Sequence, residues 1–498
     1  MAEGVFLGLD VGTSGVRAIL VRPLGEVVAS ATSALTLSTP RPGWAEQDPE
    51  DWWRASIAAI SAATGKAPNE HVLAVGISGQ MHSSVFLDRD GRVIRPALLW
   101  CDGRTTSQCA EITRRVGGEK KLQALVSNPA LEGFTLPKVL WLRDCEPAAY
   151  ARLATVMLAK DFIRYRLTGA LATEPSDASG TLMFDPVRME WSDDLLAAVD
   201  IPRELLPDVG GSAAVLGRVH AEATAATGLA SGTPVVGGGA DNACGAAGVG
   251  VVRHGDAVAS WGTSGTVLAP TDEPLVEPGL RAHTFCHVAP RLWYVMGVVL
   301  SAGGAFAWYR DQLARDLAGA PDSAALLDAE AAAIRPGAEG VTFLPYLQGE
   351  RTPHRDASAR GAFLGLTLAH TRAHLTRAVL EGICFALRDS VSLLQSLGLA
   401  PPELLLTGGG ARSPFLRQLQ ADVYGLPVAT VNREEGPAYG AALLAAVGAG
   451  AYPDLTAAVR ATLTRGQVLR PDPETHRAYD AAYARFQRAF TAARPDRF

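Results

Sequence analysis

The chain has 498 residues, enough for two large domains that each bury a core of their own. Hydrophobic residues make up 48% of it and charged residues 19%, which is typical of an ordinary globular protein and unlike a disordered or fibrous chain. The formal net charge of −6, without any long run of like charges, argues against nucleic acid as a partner.

The amino-terminal residues run directly into an apolar strand and lack the pattern of a secretory signal, so we expect a cytoplasmic protein. The six cysteines are scattered without a C-x-x-C pair, which argues against a metal knuckle or a disulfide framework. The stretch 292–309 carries no charge, but Ser301 and the pair Gly303-Gly304 divide it into a strand and a helix beginning near Phe306. We therefore expect no membrane-spanning segment.

The first elements predicted along the chain are three short strands, VFLGLDVG, VRAILVRP and GEVVASAT, which form an antiparallel start to a sheet. A helix near 49–63 and a strand at 71–78 follow, and another strand is predicted at 233–239. This half of the chain is expected to be mixed α/β.

Near residue 256 the opening pattern of strand, Gly-Thr-Ser-Gly turn and strand begins again. Helices are predicted near 371–397, 414–424 and 438–447, and a strand precedes the second of them. We therefore predict two related α/β domains, residues 1–250 and 251–498. Because no Pro- or Ser-rich linker separates them, we expect them to abut and to form a cleft.

The two Gly-Thr-Ser-Gly turns, at 12–15 and 262–265, are the strongest functional signal. Such a turn presents backbone N–H groups and hydroxyls to an anion, and glycine removes the Cβ that would keep a phosphate away. A single turn is explained as well by the dihedral needs of a tight hairpin. Their repetition favours two phosphate loops. The candidate contacts are Gly12, Thr13, Ser14, Gly262, Thr263 and Ser264.

Asp10 ends an apolar strand just before the first turn, where a buried carboxylate needs a cationic partner. Mg²⁺ fits this position, since it favours one or two carboxylates together with phosphate oxygens and water. Arg17 on the next strand either approaches the same phosphates or is a solvated strand residue. Neither a Walker P-loop nor the H-R-D and D-F-G elements of protein kinases occur in the sequence.

Asp241 stands between a glycine-rich strand end and a helix of small residues. An aspartate in that position is commonly no more than a helix N-cap. In a water-poor cleft the same carboxylate is a suitable base for an acceptor hydroxyl in phosphoryl transfer, and Asn242 could hold a second hydroxyl.

Three further segments offer candidate contacts. Gly409 and Gly410 in LTGGGARS let a flat ring lie against the backbone, with Ser413 as N-cap of the next helix, although a tight strand-to-helix connection explains the segment equally well. The segment GQMHSS offers Met81 and His82, and a lone histidine is more often structural than functional. The segment LLWCDGR adds Trp100 and Arg104.

Together these segments resemble the FGGY family of carbohydrate kinases, and within it the members that act on xylulose. Segments that occur in family order include GLDVGTSGVRAIL, WAEQDPEDWW, GISGQMHSS, GFTLPKVLWL, GGGADNACGAAGVG, HTFCH, FLPYLQGERTPH and LTGGGARS. The resemblance implies two actin-like ATPase domains of the ribonuclease H type, with ATP and a sugar meeting in an interdomain cleft.

By position, the resemblance makes Asp241 the catalytic base and Asp10 the residue that orients Mg²⁺. It makes the two turns phosphate loops and places adenosine against Gly409 and Gly410. It assigns sugar contacts to Met81, His82, Asp241 and Asn242. The implied partners are ATP and a small sugar, while the oligomeric state, a homodimer included, stays open.

The substrate expected from the resemblance is a ketopentose, D-xylulose first. Glycerol kinases carry an arginine and a glutamate where Met81 and His82 stand here, and a glutamine where Asn242 stands. Cys101 departs from the asparagine that is frequent at its position. D-ribulose, L-xylulose or a pentitol are alternative substrates, and a non-catalytic sugar sensor or an actin-like assembly protein are alternative functions.

Overall fold

Two mixed sheets flanked by helices form the framework of the protein, which we describe from a computed structural model over residues 4–493. The strands are β1 Val5–Val11, β2 Gly15–Val21, β3 Val27–Ala34, β4 Glu46–Gln47, β5 Val72–Gly79, β6 Val85–Leu87, β7 Ala97–Leu98, β8 Thr155–Met157, β9 Ala172–Thr173, β10 Phe184–Asp185, β11 Glu190–Trp191, β12 Asp208–Val209, β13 Val215–Arg218, β14 Pro234–Val236, β15 Gly239–Ala240, β16 Val258–Trp261, β17 Gly265–Thr271, β18 His283–Cys286, β19 Trp293–Val299, β20 Thr342–Leu344, β21 Ala362–Leu364, β22 Leu404–Gly408 and β23 Val428–Ala429.

Most of the helices cover the faces of these sheets. They are α1 Pro49–Lys66, α2 Thr106–Val116, α3 Glu119–Val126, α4 Thr135–Cys145, α5 Pro147–Tyr150, α6 Ala159–Thr168, α7 Pro175–Ala178, α8 Asp193–Val199, α9 Ala221–Thr227, α10 Asp241–Gly248, α11 Gly303–Leu313, α12 Ser323–Ala332, α13 Arg372–Ser396, α14 Pro414–Tyr424, α15 Pro437–Gly448, α16 Leu455–Thr462 and α17 Pro473–Ala492.

Five strands of the two large sheets share one topology, since β14-β5-β1-β2-β3 corresponds to β23-β22-β16-β17-β19. In the first, the order is β13-β14-β5-β1-β2-β3, with β1, β2 and β3 antiparallel and β5 parallel to β1. In the second, the order is β18-β19-β17-β16-β22-β23, with β16, β17 and β19 antiparallel and β22 parallel to β16. The relation between the two halves that the repeated turn predicted is therefore present in the strand order.

Strand β1 is apolar on both faces because helices lie on both sides of the first sheet, which removes the usual alternation of polar and apolar residues. Helix α15 packs on one of these faces although it belongs to the carboxyl-terminal half of the sequence. A Cβ on Gly8 would lie 2.0 Å from the carbonyl oxygen of Ala438, and one on Gly76 would lie 1.9 Å from that of Ala441. These two glycines therefore permit the close approach of helix and sheet.

Most elements agree with the sequence analysis. The uncharged stretch 292–309 divides into β19 and α11, and α11 begins at Gly303, earlier than the expected Phe306. Within residues 4–493 no helix is long and apolar enough to cross a membrane. All six cysteines, which lie in this range, are free thiols.

One feature of the carboxyl-terminal half differs from our expectation that the helix at 438–447 is the last one. The helices do not end near residue 447, because α16 and α17 follow, and α17 buries Tyr479, Tyr483, Phe486 and Phe490 at helical spacing. The domain boundary near residue 250 stays a prediction. Of the predicted domains, residues 1–3 and 494–498 lie outside the described part of the chain.

Candidate active site

Asp10 and Asp241 meet at the carboxyl ends of parallel strands. Asp10 pairs with Ser78 in the β1–β5 ladder, and β15 runs parallel to β5 and leads directly into Asp241 at the start of α10. The carboxyl edge of a parallel sheet is where α/β proteins commonly bind ligands. The chain therefore brings together two acidic residues that are far apart in sequence.

Both aspartates are partly exposed at a cavity, and the burial of the rest of each carboxyl group raises its pKa value. Burial raises the pKa of Asp10 to about 6, against the lowering influence of the Arg17 charge. Burial and then the charge of Asp10 raise the pKa of Asp241 to about 7. A carboxyl group with a pKa near neutrality can hold and release a proton under physiological conditions.

Asp241 is the first residue of α10 and not its N-cap, so helix capping does not account for this aspartate. The N-cap position is Ala240, which has no capping side chain. Asp241 Oδ1 accepts hydrogen bonds from the backbone N–H of Asn242 at 2.8 Å and from its side-chain amide at 3.0 Å. The carboxylate is thus held against Asn242 at the edge of the cavity described next.

A cavity of about 330 Å³ lies between the two sheets beside these residues. The first half contributes Asp10, Arg17, Asp241 and Asn242, and the second half contributes residues of 258–268, of 407–408 and of 434–437 to its lining. Arg17 lies directly opposite Asp10 in the β1–β2 ladder and faces this cavity, which favours a ligand contact over a solvated strand residue.

The segment that carries Met81 and His82 lies against Asp241. The backbone N–H of Met81 lies close enough to the Asp241 carboxylate to lower its pKa, and the side-chain amide of Asn242 lies 3.6 Å from Met81 Sδ. From the second half, the hydroxyl of Tyr294 lies 3.9 Å from the same sulfur atom. The four residues that the resemblance assigned to the sugar are therefore neighbours.

His82 adopts a left-handed backbone conformation with φ of 67°, which is uncommon for a residue with a side chain. Its carbonyl oxygen accepts hydrogen bonds from Thr135 Oγ1 at 3.2 Å and Lys138 Nζ at 2.9 Å. Its Nδ1 donates to the carbonyl oxygen of Gly180, and burial holds the pKa of the imidazole well below its usual value. The ring is therefore neutral, with Nε2 left as an acceptor for a hydroxyl.

The first phosphate turn differs from our expectation in the direction of one hydroxyl. We expected the Thr13 hydroxyl to face a phosphate, but it donates to Gln80 Oε1 and accepts from Trp100 Nε1, both at 3.0 Å. Ser14 is exposed, and the N–H of Gly12 closes the turn on the oxygen of Gly15 at 3.1 Å. The backbone N–H of Thr13 is therefore the group of this residue that stays a candidate for binding phosphate.

The second turn borders a larger cavity of about 930 Å³. The predicted residues in its lining are Gly262, Thr263, Gly409, Gly410 and Ser413. Ser264 completes the turn before β17. The start of α11 donates its N–H groups to this turn, from Gly303 to the oxygen of Gly262 and from Gly304 to the oxygen of Thr263.

Ser413 caps α14 as the sequence predicted, with its Oγ accepting the N–H of Leu416 at 3.3 Å. The end of β22 connects the two cavities, since Gly408 lines the smaller one while Gly409 and Gly410 line the larger one. A ligand with a flat ring in the large cavity and phosphates toward Asp10 would fit this arrangement.

Arg104 requires a correction as a sugar contact. Its side chain is 1% exposed and forms ion pairs at 2.7 Å with both Asp102 and Glu46, and its guanidinium lies 3.6 Å from the centre of the Trp44 ring. The Arg104 charge is therefore neutralised inside the first half and does not face a ligand. Glu46 and Trp44 come from a distant segment, so the local sequence around Arg104 did not reveal them.

Several residues beside the sugar segment escaped the sequence analysis. Phe134, His283 and Phe285 surround the His82 ring, with the Phe134 ring 4.6 Å from it. Arg351 reaches from the second half to Gly133, where a Cβ would lie 2.9 Å from its Nη2. These residues lie in three segments that occur in family order, GFTLPKVLWL, HTFCH and FLPYLQGERTPH. That order was the only indication that they belong to the site, because no spacing within the segments indicates chemistry.

The residues around Asp10 fit a metal ion whose coordination is completed by ligands from outside the protein. Among residues 4–493 there is no group of three or more His, Cys, Asp or Glu side chains that could hold a metal by themselves. Asp10 Oδ1 is buried and has no hydrogen-bond partner, so it has a free acceptor at the cavity that a cation could use. A hard cation with phosphate and water ligands matches this single carboxylate.

Comparison with known proteins gives a consistent result over nearly the whole chain. Residues 5–248 match the N-terminal domain of the FGGY family of carbohydrate kinases, and residues 257–449 match its C-terminal domain. The chain is 40% identical over 492 residues to the xylulose kinase of Escherichia coli (strain K12), covering 99% of both chains.

Solved structures agree with this assignment. The xylulose kinase from Rhodospirillum rubrum is similar with a TM-score of 0.90 at 34% identity, and a gluconate kinase from Lactobacillus acidophilus with a TM-score of 0.92 at 27% identity, each covering 99% of both chains. The actin-like ATPase fold predicted from the sequence is thereby confirmed. The protein belongs to the FGGY family of carbohydrate kinases.

Proposed function

We propose that the protein transfers the γ-phosphoryl group of ATP to the C5 hydroxyl of D-xylulose, giving ADP and D-xylulose 5-phosphate. Kinases of this family use ATP and a sugar. The observation that carries the proposal is the Asp241 carboxylate, which is hydrogen-bonded by Asn242 and lines a cavity that adjoins the larger one. The identity of 40% to a xylulose kinase over the full length supports D-xylulose as the acceptor.

In this proposal Asp241 is the general base. Its carboxylate takes the proton of the C5 hydroxyl while the hydroxyl oxygen bonds to the γ-phosphorus and the bond to the β–γ bridging oxygen breaks. Asn242 and the neutral His82 ring orient other hydroxyls of the sugar. His82 is buried and Asp241 and Asn242 are partly buried, so the bound sugar would displace water from these groups and limit the transfer of phosphate to water.

The nucleotide is proposed to lie across the two cavities. Adenosine would occupy the cavity beside Gly409 and Gly410, and the backbone N–H groups of the two turns would bind phosphate oxygens. Arg17 lies where it can approach the same phosphates. Mg²⁺, bound through Asp10 and phosphate oxygens, would neutralise charge on the transferring group.

The pH dependence of the reaction follows from the pKa of Asp241. A general base acts when it is deprotonated, and burial with the charge of Asp10 raises the pKa of Asp241 to about 7. We expect kcat/KM, which reports groups of the free enzyme, to fall as the pH decreases below about 7. A profile that stays flat from pH 8 down to pH 5 would contradict the assignment.

His82→Ala is expected to raise the KM for D-xylulose by about 5- to 150-fold, since a hydroxyl loses its buried acceptor at a cost of about 1 to 3 kcal/mol. Sugar-independent ATP hydrolysis should change little by comparison. His287→Ala is a matched control, because this histidine is also buried but lies outside the proposed sugar contacts. The control should lower Tm without raising the sugar KM. A His82 variant that shows only this loss of Tm would refute a sugar contact.

A panel of acceptors in an assay of ADP release tests the function itself. The panel contains D-xylulose, D-ribulose, L-xylulose, xylitol and D-gluconate, the last because a gluconate kinase has the same fold similarity. D-xylulose should give the highest kcat/KM. A higher value for another member would replace the proposed substrate, and ADP release with none of them would favour the sensor or the assembly protein. A cytoplasmic location and a homodimer stay predictions.

A further inference from the structure

Three side chains from distant segments form a closed ring of hydrogen bonds beside the active site. Thr13 Oγ1 donates to Gln80 Oε1 at 3.0 Å, Gln80 Nε2 donates to Gln47 Oε1 at 3.3 Å, and Gln47 Nε2 donates back to the carbonyl oxygen of Thr13 at 2.8 Å. Two tryptophans extend the ring, since Trp100 Nε1 donates to Thr13 Oγ1 at 3.0 Å and Trp52 Nε1 donates to Gln47 Oε1 at 2.9 Å.

The ring is rigid for physical reasons. Gln80, Gln47 and Trp52 are 1%, 3% and 0% exposed, so water does not replace these hydrogen bonds easily. In such an environment each bond polarises the next, and breaking one leaves a buried polar group without a partner. The Thr13 hydroxyl uses both its donor and its acceptor function inside the ring, which fixes its rotamer.

The ring joins the two substrate regions of the site. Thr13 belongs to the first phosphate turn, and both its carbonyl oxygen and its hydroxyl form hydrogen bonds within the ring. Gln80 directly precedes Met81 and His82, and the Met81 N–H contacts the Asp241 carboxylate. A small displacement of the sugar segment is therefore transmitted through Gln80 to the backbone of the phosphate turn.

We propose that Thr13 is a positioning residue that couples occupancy of the sugar site to the geometry of the first phosphate turn. This inference rests on the proposed kinase function. Its consequence is that sugar and nucleotide bind with positive cooperativity, because a sugar that shifts residues 80–82 also shifts the rigidly connected turn toward the geometry that binds phosphate. By linkage, the nucleotide must strengthen sugar binding by the same factor.

The test measures this coupling factor directly, as the ratio of the Kd for D-xylulose without and with Mg·AMP-PNP. If the acceptor panel selects another sugar, that sugar is used, so an error in the substrate does not affect the test. Thr13→Val removes both hydroxyl bonds at nearly constant shape, and Thr13→Ser retains them. Thr227→Val is a matched control, since its hydroxyl is also buried but bonds within α9.

We expect Thr13→Val to reduce the coupling factor by at least about fivefold, the lower end of typical allosteric coupling. Thr13→Ser and Thr227→Val should retain the wild-type factor. Gln80→Leu should reduce it as Thr13→Val does, and the double variant should be no worse than either single variant, because one ring carries the effect. A wild-type factor of one, an unchanged factor in Thr13→Val, or multiplied losses in the double variant would each overturn the proposal.

Discussion

Asp241→Asn is expected to lower kcat for sugar phosphorylation by about 10²- to 10⁴-fold, the usual contribution of a positioned general base. The amide keeps nearly the shape of the carboxylate but cannot take the hydroxyl proton. The affinity for ATP should stay within a few fold of wild type, because the large cavity and both turns are unchanged. Steady-state kinetics together with nucleotide titration measure both quantities.

The same variant should not be destabilised, which separates a catalytic role from a structural one. The pKa of Asp241 is raised from 3.8 to about 7 in the folded protein, so ionising this group between these pH values costs folding stability. At pH 8 the neutral amide removes a buried charge beside Asp10, and Tm should stay constant or increase. A variant with much lower Tm and lower nucleotide affinity would indicate a structural aspartate.

A second aspartate provides the control for Asp241→Asn. Asp193 begins α8, is exposed and lies outside the proposed contacts, so Asp193→Asn should retain wild-type kcat. Activity of Asp241→Asn within a few fold of this control would refute the assignment of the base.

The sequence predicted the fold and the two acidic centres because their signals are local. The apolar strands, the turns at 12–15 and 262–265 and the glycine-rich strand ends each occupy a few consecutive residues. Each aspartate was predicted from its own segment, and the structure brings them together because the carboxyl ends of parallel strands meet at one edge of a sheet.

The sequence did not predict contacts that depend on how distant segments meet. The charge of Arg104 is neutralised by Glu46, and the Thr13 hydroxyl is bound by Gln80 and Trp100, instead of by a ligand. Neither pairing leaves a periodic pattern in the chain. The packing of α15 on the first sheet is of the same kind, although Gly8 and Gly76 were indications that a backbone passes close to those strands.

The remaining large effect is expected for Asp10→Asn. This substitution should raise the Mg²⁺ concentration needed for half-maximal activity and the KM for Mg·ATP by about 10- to 100-fold, the usual loss when a residue that orients a metal is removed. The carboxylate has a buried oxygen without a hydrogen-bond partner, and the substitution removes the negative charge that would attract the cation to it. Activity titrations with Mg²⁺ at fixed ATP measure the change.

Asp10→Asn also has an effect on the pH profile that Asp241→Asn cannot have. The charge of Asp10 is the second largest cause of the raised pKa of Asp241, after burial. Removing that charge lowers the pKa of Asp241, so the fall in kcat/KM should move to lower pH in Asp10→Asn, whereas Asp241→Asn should lose this dependence. An unchanged Mg²⁺ requirement together with an unmoved profile would show that Asp10 acts on neither the metal nor the base.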